Sequence, residues 1–562
     1  MNVLSIIVAL ISIVLFAQSL FSLYLMLYSW EHPERLEASS GPSTFLPPRL
    51  SFSVLLPARH EEPVIYQTIR RLLEADYPKW LMEVIVICHV DDTGTIAEAE
   101  RAKRELSADN LRVATFVDPP INKPHGLNVG LDLAVHDVIT VFDAEDDIDS
   151  SIFNVVNTVM LNEQTEVVQA GVQLMNFRDH WFSVHNCLEY FFWFKSRLHF
   201  HAKVGMIPLG GNTVFIRREL LARIGGWDAD CLTEDADIGL RLSGLGVPVR
   251  VVYDAQHVTR EETPDSLASF IRQRTRWHQG FIQILRKGTW RSMPGYRQRL
   301  LALYTLSYPL FQALLMLLWP LTIAGLFVLK LPVGLVLLSF LPLYALAFQF
   351  VVTEIGVFRF TREYGFKVPL LMPIVMAITF LPYQFALGIS AVRAVYRELL
   401  HHYNWEKTAH LGAHRQPGFI WSVAFQRLLD QAGARLGIDR GTVLVLDPAA
   451  NTFSLLASHG QPISSSEMAN LDGDGIADWL AKTKEPAMIH GRSLPAELEG
   501  LLTLPDLRSA IVLPFSHLDS TVGVLSVSSS DTLLDDAGVI WLNDQLQSLI
   551  GAASTNFASK SA

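Results

Sequence analysis

Three long apolar blocks and one stretch of shorter alternating segments organise this chain. Val3 to Tyr28 is apolar with only Ser, Gln and Tyr interruptions, long enough to cross a hydrocarbon core of about 30 Å. Leu300 to Val352 is a second block, with room for two spans that turn near Lys330-Leu331-Pro332. Pro369 to Val395 is a third, interrupted by Pro382. Between the first and second blocks the pattern changes. Ser51–Leu56, Glu83–Cys88, Leu111–Val117 and Val138–Phe142 read as short strands, separated by helical stretches such as Pro63–Leu73 and Thr95–Leu106. This alternation predicts a mostly parallel sheet that binds ligands at the carboxyl ends of its strands. Beyond the last block, Thr442–Leu446, Thr452–Ala457, Ser509–Pro514 and Thr521–Val527 read as strands. Trp421–Leu436, Asp474–Ala481 and Asp535–Ala552 read as helices, so a second folded domain is expected over 420–556.

Composition agrees. A chain of 562 residues suggests two or three domains, and a hydrophobic half places part of it in lipid. The net charge of −11 argues against a nucleic-acid partner. Cys88, Cys187 and Cys231 are widely spaced and odd in number, which predicts reduced thiols facing the cytosol. The first block lacks a basic n-region and exceeds an h-region, so residues 1–30 read as a retained anchor. Arg35, the basic cluster at 272–299, Arg393 and Arg397 assign their segments to the cytoplasm. One span plus two returns the chain to the cytosol, whereas a fourth at 369–395 would place the C-terminus outside. That segment is therefore read as re-entrant or interfacial, unless the span count itself is wrong.

The chemistry lies in three motifs. Asp143 closes the strand 138–142 within Asp143-Ala144-Glu145-Asp146-Asp147. Carboxylates one residue apart at a strand end point the same way and can share a hard cation with phosphate oxygens; Asp146 or Asp147 is an alternative second ligand. Thr233-Glu234-Asp235 precedes the amphipathic run Ile238–Leu242, where Thr233 or Asp235 could equally cap a helix. Gln273-Arg274-Thr275-Arg276-Trp277 lies in a stretch that mixes Phe, Ile and Trp with Arg and Lys, as an interfacial helix does. There Gln273 and Trp277 share a face.

In this order the motifs resemble the processive family 2 glycosyltransferases, the cellulose, hyaluronan and related β-glycan synthases, over roughly residues 50 to 410. The resemblance implies a nucleotide-sugar-binding GT-A fold over 50–260, inserted between transmembrane helices. Interfacial helices would follow over 261–298 and channel helices over 299–396. It implies Mg²⁺ or Mn²⁺ on Asp143 and Glu145, and Asp235, with Glu234 beside it, as the general base. Donor contacts would come from Pro57 and Glu61, from Asp91 or Asp92 on the uracil, and from Lys123 and Asn128 in the Lys-x-x-x-Leu-Asn segment. Asn212, after two glycines, would meet the sugar, Arg276 the diphosphate and Trp277, beside Gln273, the acceptor's terminal sugar. The Trp405-Glu406-Lys407-Thr408 run is similar to those that close the membrane part of related synthases.

Residues 420–556 resemble a GAF domain, an α+β module that binds a small ligand or dimerises; Ser509–Phe515 and Gly523–Val527 carry the likeness. The expectation is an inverting polysaccharide synthase of a bacterial inner or plasma membrane. It would take a UDP-sugar and a growing polysaccharide, sit in membrane lipid with both folded domains cytoplasmic, and bind no nucleic acid. Two rivals stand beside it. One is a transferase that adds a single sugar to a lipid carrier, relatives of which generally lack the Gln-x-x-Arg-Trp motif. The other is a non-enzymatic GAF-bearing sensor with a decayed transferase domain.

Overall fold

A computed structural model of the chain describes residues 3–328, 333–406, 417–447, 452–460, 486–490, 507–517 and 521–557. They fall into two compact units, Met1–His414 and Arg415–Ala562.

The first unit is built on β1 (Phe52–Pro57), β2 (Met82–His89), β3 (Leu111–Phe116) and β4 (Val138–Val141). The sheet continues through β5 (Val167–Ala170), β7 (Val214–Arg217) and β8 (Val249–Val252). The strand order is β3-β2-β1-β4-β7-β5-β8. Apolar runs buried on both faces make such strands, and Phe52, Val54, Val84 and Val138 are all fully buried. The sheet is mixed, which refines the mostly parallel expectation: β7 runs antiparallel to both β4 and β5. β6 (Val172–Leu174) and β9 (Thr259–Glu261) form a separate parallel pair beside it.

Helices α1 (Val3–Glu31), α2 (Ile65–Leu73), α3 (Thr93–Glu105), α4 (Lys123–Leu133) and α5 (Ile152–Glu163) come next in chain order. Two of their starts matter for the site. Asp92 caps α3 by accepting from the Thr95 N–H. Asn122 caps α4 by accepting from the His125 N–H at 3.0 Å, with Pro124 in its first turn, so Lys123 is fixed at the mouth of the sheet. α6 (Ser183–Phe192), α7 (Glu234–Gly244) and α8 (Leu267–Lys287) close the cleft. α8 starts on the Ser266 cap and ends at Gly288, whose φ of +78° suits a residue without a Cβ.

Among the described residues, four stretches are long and apolar enough to cross a membrane: Ala9–Glu31, Tyr296–Leu318, Val333–Glu363 and Met372–Leu399. They lie in α1, α9 (Tyr296–Val328), α10 (Leu341–Glu363) with the short helix before it, and α11 (Met372–Leu399). α1 is built into the unit. Arg197 donates to the Ser22 hydroxyl at 3.0 Å, Ser196 donates to the Leu25 carbonyl at 2.9 Å, and Phe21 packs edge-on against Tyr304.

Pro382 does not interrupt the last block: α11 runs through it for 28 residues, about 42 Å at the α-helical rise. This helix lies beside α8 in the same direction, from the Phe270–Tyr383 ring contact to the Arg286–Glu398 ion pair at 2.9 Å. Just before α11, the Lys367 carbonyl accepts from Arg178, and within it Thr379 meets His185 at 2.8 Å. Near its end Arg397 donates to Gln279 at 3.0 Å. Both ends of α11 thus lean on the part of the unit that carries the sheet and α8.

The second unit holds β10 (Arg440–Asp447), β11 (Thr452–Gly460), β12 (Ala487–His490), β13 (Ser509–His517) and β14 (Thr521–Ser529). Every pairing is antiparallel, in the order β11-β10-β14-β13-β12. α12 (Pro417–Leu436) and α13 (Asp536–Phe557) supply Phe425, Leu429, Leu542 and Leu546 to one core with Ile511 and Leu525. The expected helix Asp474–Ala481 lies outside the described residues. The three cysteines are free and buried.

Candidate active site

The carboxyl ends of β1, β2 and β4 open on a cavity of about 500 Å³. Eleven expected residues line it: Pro57, Glu61, Lys123, Asp143, Glu145, Asn212, Glu234, Asp235, Gln273, Arg276 and Trp277. They come from segments scattered over more than 200 positions, brought together by the sheet and the docking of α7 and α8.

Asp143 and Glu145 are the two carboxylates of the acidic cluster that face the cavity. Asp146 is fully buried and accepts from the Asp143 N–H at 2.8 Å and from the Asn212 amide at 2.9 Å. Burial first, then the neighbouring Glu261, Asp143 and Glu145 charges, raise its pKa well above the usual carboxylate range. Asp147 pairs with Arg71 at 3.1 Å. These two therefore brace the loop, while Asp143 and Glu145 face the cavity with hard oxygen donors suited to a divalent cation, a fit that diphosphate oxygens would complete. A different trio, His60, Glu62 and Asp92, brings ligand atoms within 4.8 Å of one another, the one such grouping among the described residues. Asp92 already serves the backbone there.

Lys123 bridges the two acidic motifs. Its ammonium meets Asp143 Oδ1 at 2.5 Å and donates to the Gly211 carbonyl at 3.1 Å. Burial opposes its charge, but Asp143, Glu234 and Asp235 outweigh that and raise its pKa. Gly211 lets the backbone come close here: a Cβ would sit 3.1 Å from the Asp235 carboxylate, a tight contact.

Thr233 does not cap α7 with its side chain, and its buried hydroxyl has no hydrogen-bond partner among the described residues. The motif instead presents acids. Burial, then repulsion from Asp235, pushes Glu234 up to about 8. Burial is also the main cause that raises Asp235. A carboxylate so placed is a stronger base than one in water. α8 approaches this motif closely because residue 280 is glycine: a Cβ there would lie 2.3 Å from Thr233 Oγ1.

On α8, Trp277 is half-buried, with the Arg274 guanidinium 4.4 Å from its ring centroid and Tyr190 at 6.3 Å. Gln273 Oε1 is buried without a hydrogen-bond partner among the described residues. Arg276 donates to the Glu406 carbonyl at 2.8 Å and lies over the Trp405 ring at 4.6 Å. Burial lowers its pKa from the ordinary guanidinium value. Arg393 and Arg397 hold the Glu406 carboxylate at 2.6 and 3.1 Å, which pins the segment carrying Trp405 at the cavity wall.

Three expected contacts lie elsewhere. Asn128 spends both ends of its amide on the Trp227 backbone, at 2.7 and 2.8 Å. Asp92 is buried and accepts from the backbone of His60 and Thr95. Asp91 is exposed and pairs with Arg59 at 3.4 Å and His89 at 2.5 Å. None of the three lines the cavity, whereas His89 does.

Sequence reasoning passed over Tyr190, Glu261 and Arg274, which also line it, and a polar stripe on the apolar helices. Tyr304, Tyr308 and Gln312 on α9, Gln349 and Thr353 on α10 and Gln384 on α11 all face the cavity. The i, i+4 spacing of the α9 and α10 positions within apolar blocks was the available signal.

Residues 47–280 match the family model described as "Glycosyltransferase like family 2", and this region is a family 2 glycosyltransferase domain. The probable glycosyltransferase YdaM of Bacillus subtilis is 29% identical over 41% of this chain and 54% of its own length. A beta-monoglucosyldiacylglycerol synthase of Trichormus variabilis is 27% identical over 41% of this chain and 49% of its own. The poly-beta-1,6-N-acetyl-D-glucosamine synthase of Staphylococcus epidermidis is 22% identical over 46% of this chain and 60% of its own. The chain thus spans about half the length of the curated relatives it matches.

Proposed function

We propose that the chain is a membrane-embedded inverting glycosyltransferase that takes a UDP-sugar and extends a β-linked polysaccharide. The observation that carries this reading is the continuity of one cavity. It runs from Asp143, Glu145 and Asp235 to Tyr308, Gln312, Gln349 and Gln384 on helices otherwise suited to lipid. Amide and phenol groups there suit a chain of sugar hydroxyls, and polar side chains at membrane depth are expected to face such a lumen.

In the reaction, the acceptor hydroxyl oxygen attacks the anomeric carbon as the bond from that carbon to the diphosphate breaks. Asp235 takes the hydroxyl proton. Lys123, and Arg276 once it leaves the Glu406 carbonyl, receive the charge on the departing UDP. A divalent cation held by Asp143 and Glu145 would neutralise part of that charge. Trp277, stiffened by Arg274 beneath it, offers an apolar face to the acceptor's terminal sugar. α11, leaning on the catalytic half at both ends, is read as lying along the interface. Three crossing spans then leave both folded units on the cytoplasmic side. The second unit is read as a GAF-like module that dimerises or binds a small ligand.

The diacylglycerol relative favours a second reading, transfer of one sugar to a lipid. Purified membranes given Mg²⁺ or Mn²⁺ and labelled UDP-sugars separate the two. A long, glycosidase-digestible product that disappears in Asp235→Asn is the expected result. A short, lipid-extractable product that survives Trp277→Ala would replace the polymer reading with the lipid one.

A further inference from the structure

We infer that His89, held by Asp91, reads the nucleobase and selects uracil over cytosine. The inference rests on the UDP-sugar reading above and names the residue that sets its base. β2 ends on His89, at the strand ends where a doubly wound sheet binds nucleotides. The ring is buried and lines the cavity with Pro57, Arg59, Phe116 and Ile121. Phe116 packs edge-on against it, with ring centroids 5.3 Å apart.

The pair chemistry fixes what His89 offers. Asp91 Oδ1 lies 2.5 Å from His89 Nδ1, and a carboxylate only accepts, so Nδ1 carries the proton. The Asp91 N–H also approaches Nδ1, but at 3.4 Å it does not compete. Asp91 lies outside the cavity lining, so the opposite ring edge, with Nε2, is the one turned inward. With the ring neutral, Nε2 then carries a lone pair. Uracil presents an N3–H donor to such an acceptor; cytosine presents another lone pair. The acidic residues first expected to touch the base act otherwise: Asp91 sets the tautomer and Asp92 caps α3.

Titration of the full-length protein in detergent micelles with UDP, CDP and N3-methyl-UDP, in the presence of Mg²⁺, tests this. UDP is expected to bind about 10- to 100-fold more tightly than either of the others, the penalty for leaving a buried polar group unpaired. His89→Phe keeps a ring and loses the acceptor, so UDP should weaken to the CDP level while CDP changes less than about twofold. His89→Asp restores an acceptor and should restore the preference. Asp91→Ala, at an exposed position, should reduce the UDP-to-CDP ratio by about threefold or more without touching the core. Equal UDP and CDP affinities in the unaltered protein, or a ratio unchanged in His89→Phe, would overturn base reading by His89 and leave the transferase reading intact. Failure of all three nucleotides to bind would overturn both.

Discussion

Gly280→Ala is a one-carbon change outside the reacting groups that should disable the site. The new Cβ would lie 2.3 Å from Thr233 Oγ1, 2.6 Å from its Cγ2 and 2.8 Å from its Cβ. Ordinary contact requires α8 and the Thr233-Glu234-Asp235 segment to separate by about 1 Å. Overpacking of this kind costs about 1–3 kcal/mol of stability. A 1 Å displacement between Asp235 and the α8 face carrying Arg276 and Trp277 is expected to lower kcat by about 100-fold. Binding of UDP, which the proposed reading places at the β1 and β2 ends, should change far less than kcat. Thr233→Ala provides the control. Its hydroxyl has no hydrogen-bond partner among the described residues, so its removal should be mild alone; in the double variant it clears the 2.3 and 2.6 Å contacts but not the 2.8 Å one, and should recover part of the loss. UDP release from labelled donor gives kcat, and titration gives UDP affinity. A Gly280→Ala enzyme within twofold of the parent would refute the close-docking argument, as would a double variant no better than the single one.

Other expectations follow from the same geometry. Glu234 keeps its proton to about 8 in the native state but ionises near 4.5 when unfolded, so stability should fall as pH rises between those values, by on the order of a few kcal/mol. Thermal melts across that window in the parent and in Glu234→Gln check the sign; an equal slope in both would contradict it. Asp92→Ala removes a helix cap and should cost about 1 kcal/mol in denaturant unfolding while KM for the donor changes little, the reverse of the outcome for a base-contacting residue. EDTA should abolish turnover and excess Mg²⁺ or Mn²⁺ restore it; full activity in chelator would remove the metal role from Asp143 and Glu145.

Much of the fold was legible because periodicity carries it. β1 to β4 lie within a residue or so of the apolar runs that announced them, and the acidic and Arg-Trp motifs converge as spacing and resemblance implied. The misses have physical causes. β7 is four residues long and follows a glycine turn, too short for alternation to register. Pro382 suggested a break, but packing against α8 and α9 keeps the helix continuous around one missing hydrogen bond. Asp91 and Asp92 looked alike in sequence, and only the backbone groups around them separate a cap from a pairing partner. Glu261 and Arg274 reach the site through tertiary packing that no local pattern encodes.

The cavity wall includes Leu25 from the first helix and Trp405 from the last segment of the unit. The two are separated by 380 positions. At about 5–20 residues per second, a ribosome needs roughly 20 to 80 s to travel between them. During that interval the sheet and its acids can form, but the chamber lacks one wall. On the proposed reading, turnover would begin only after the helix Met372–Leu399 and the segment carrying Trp405 have been delivered. The order of synthesis would then keep an unfinished transferase from spending nucleotide-sugar before its acceptor path is in place.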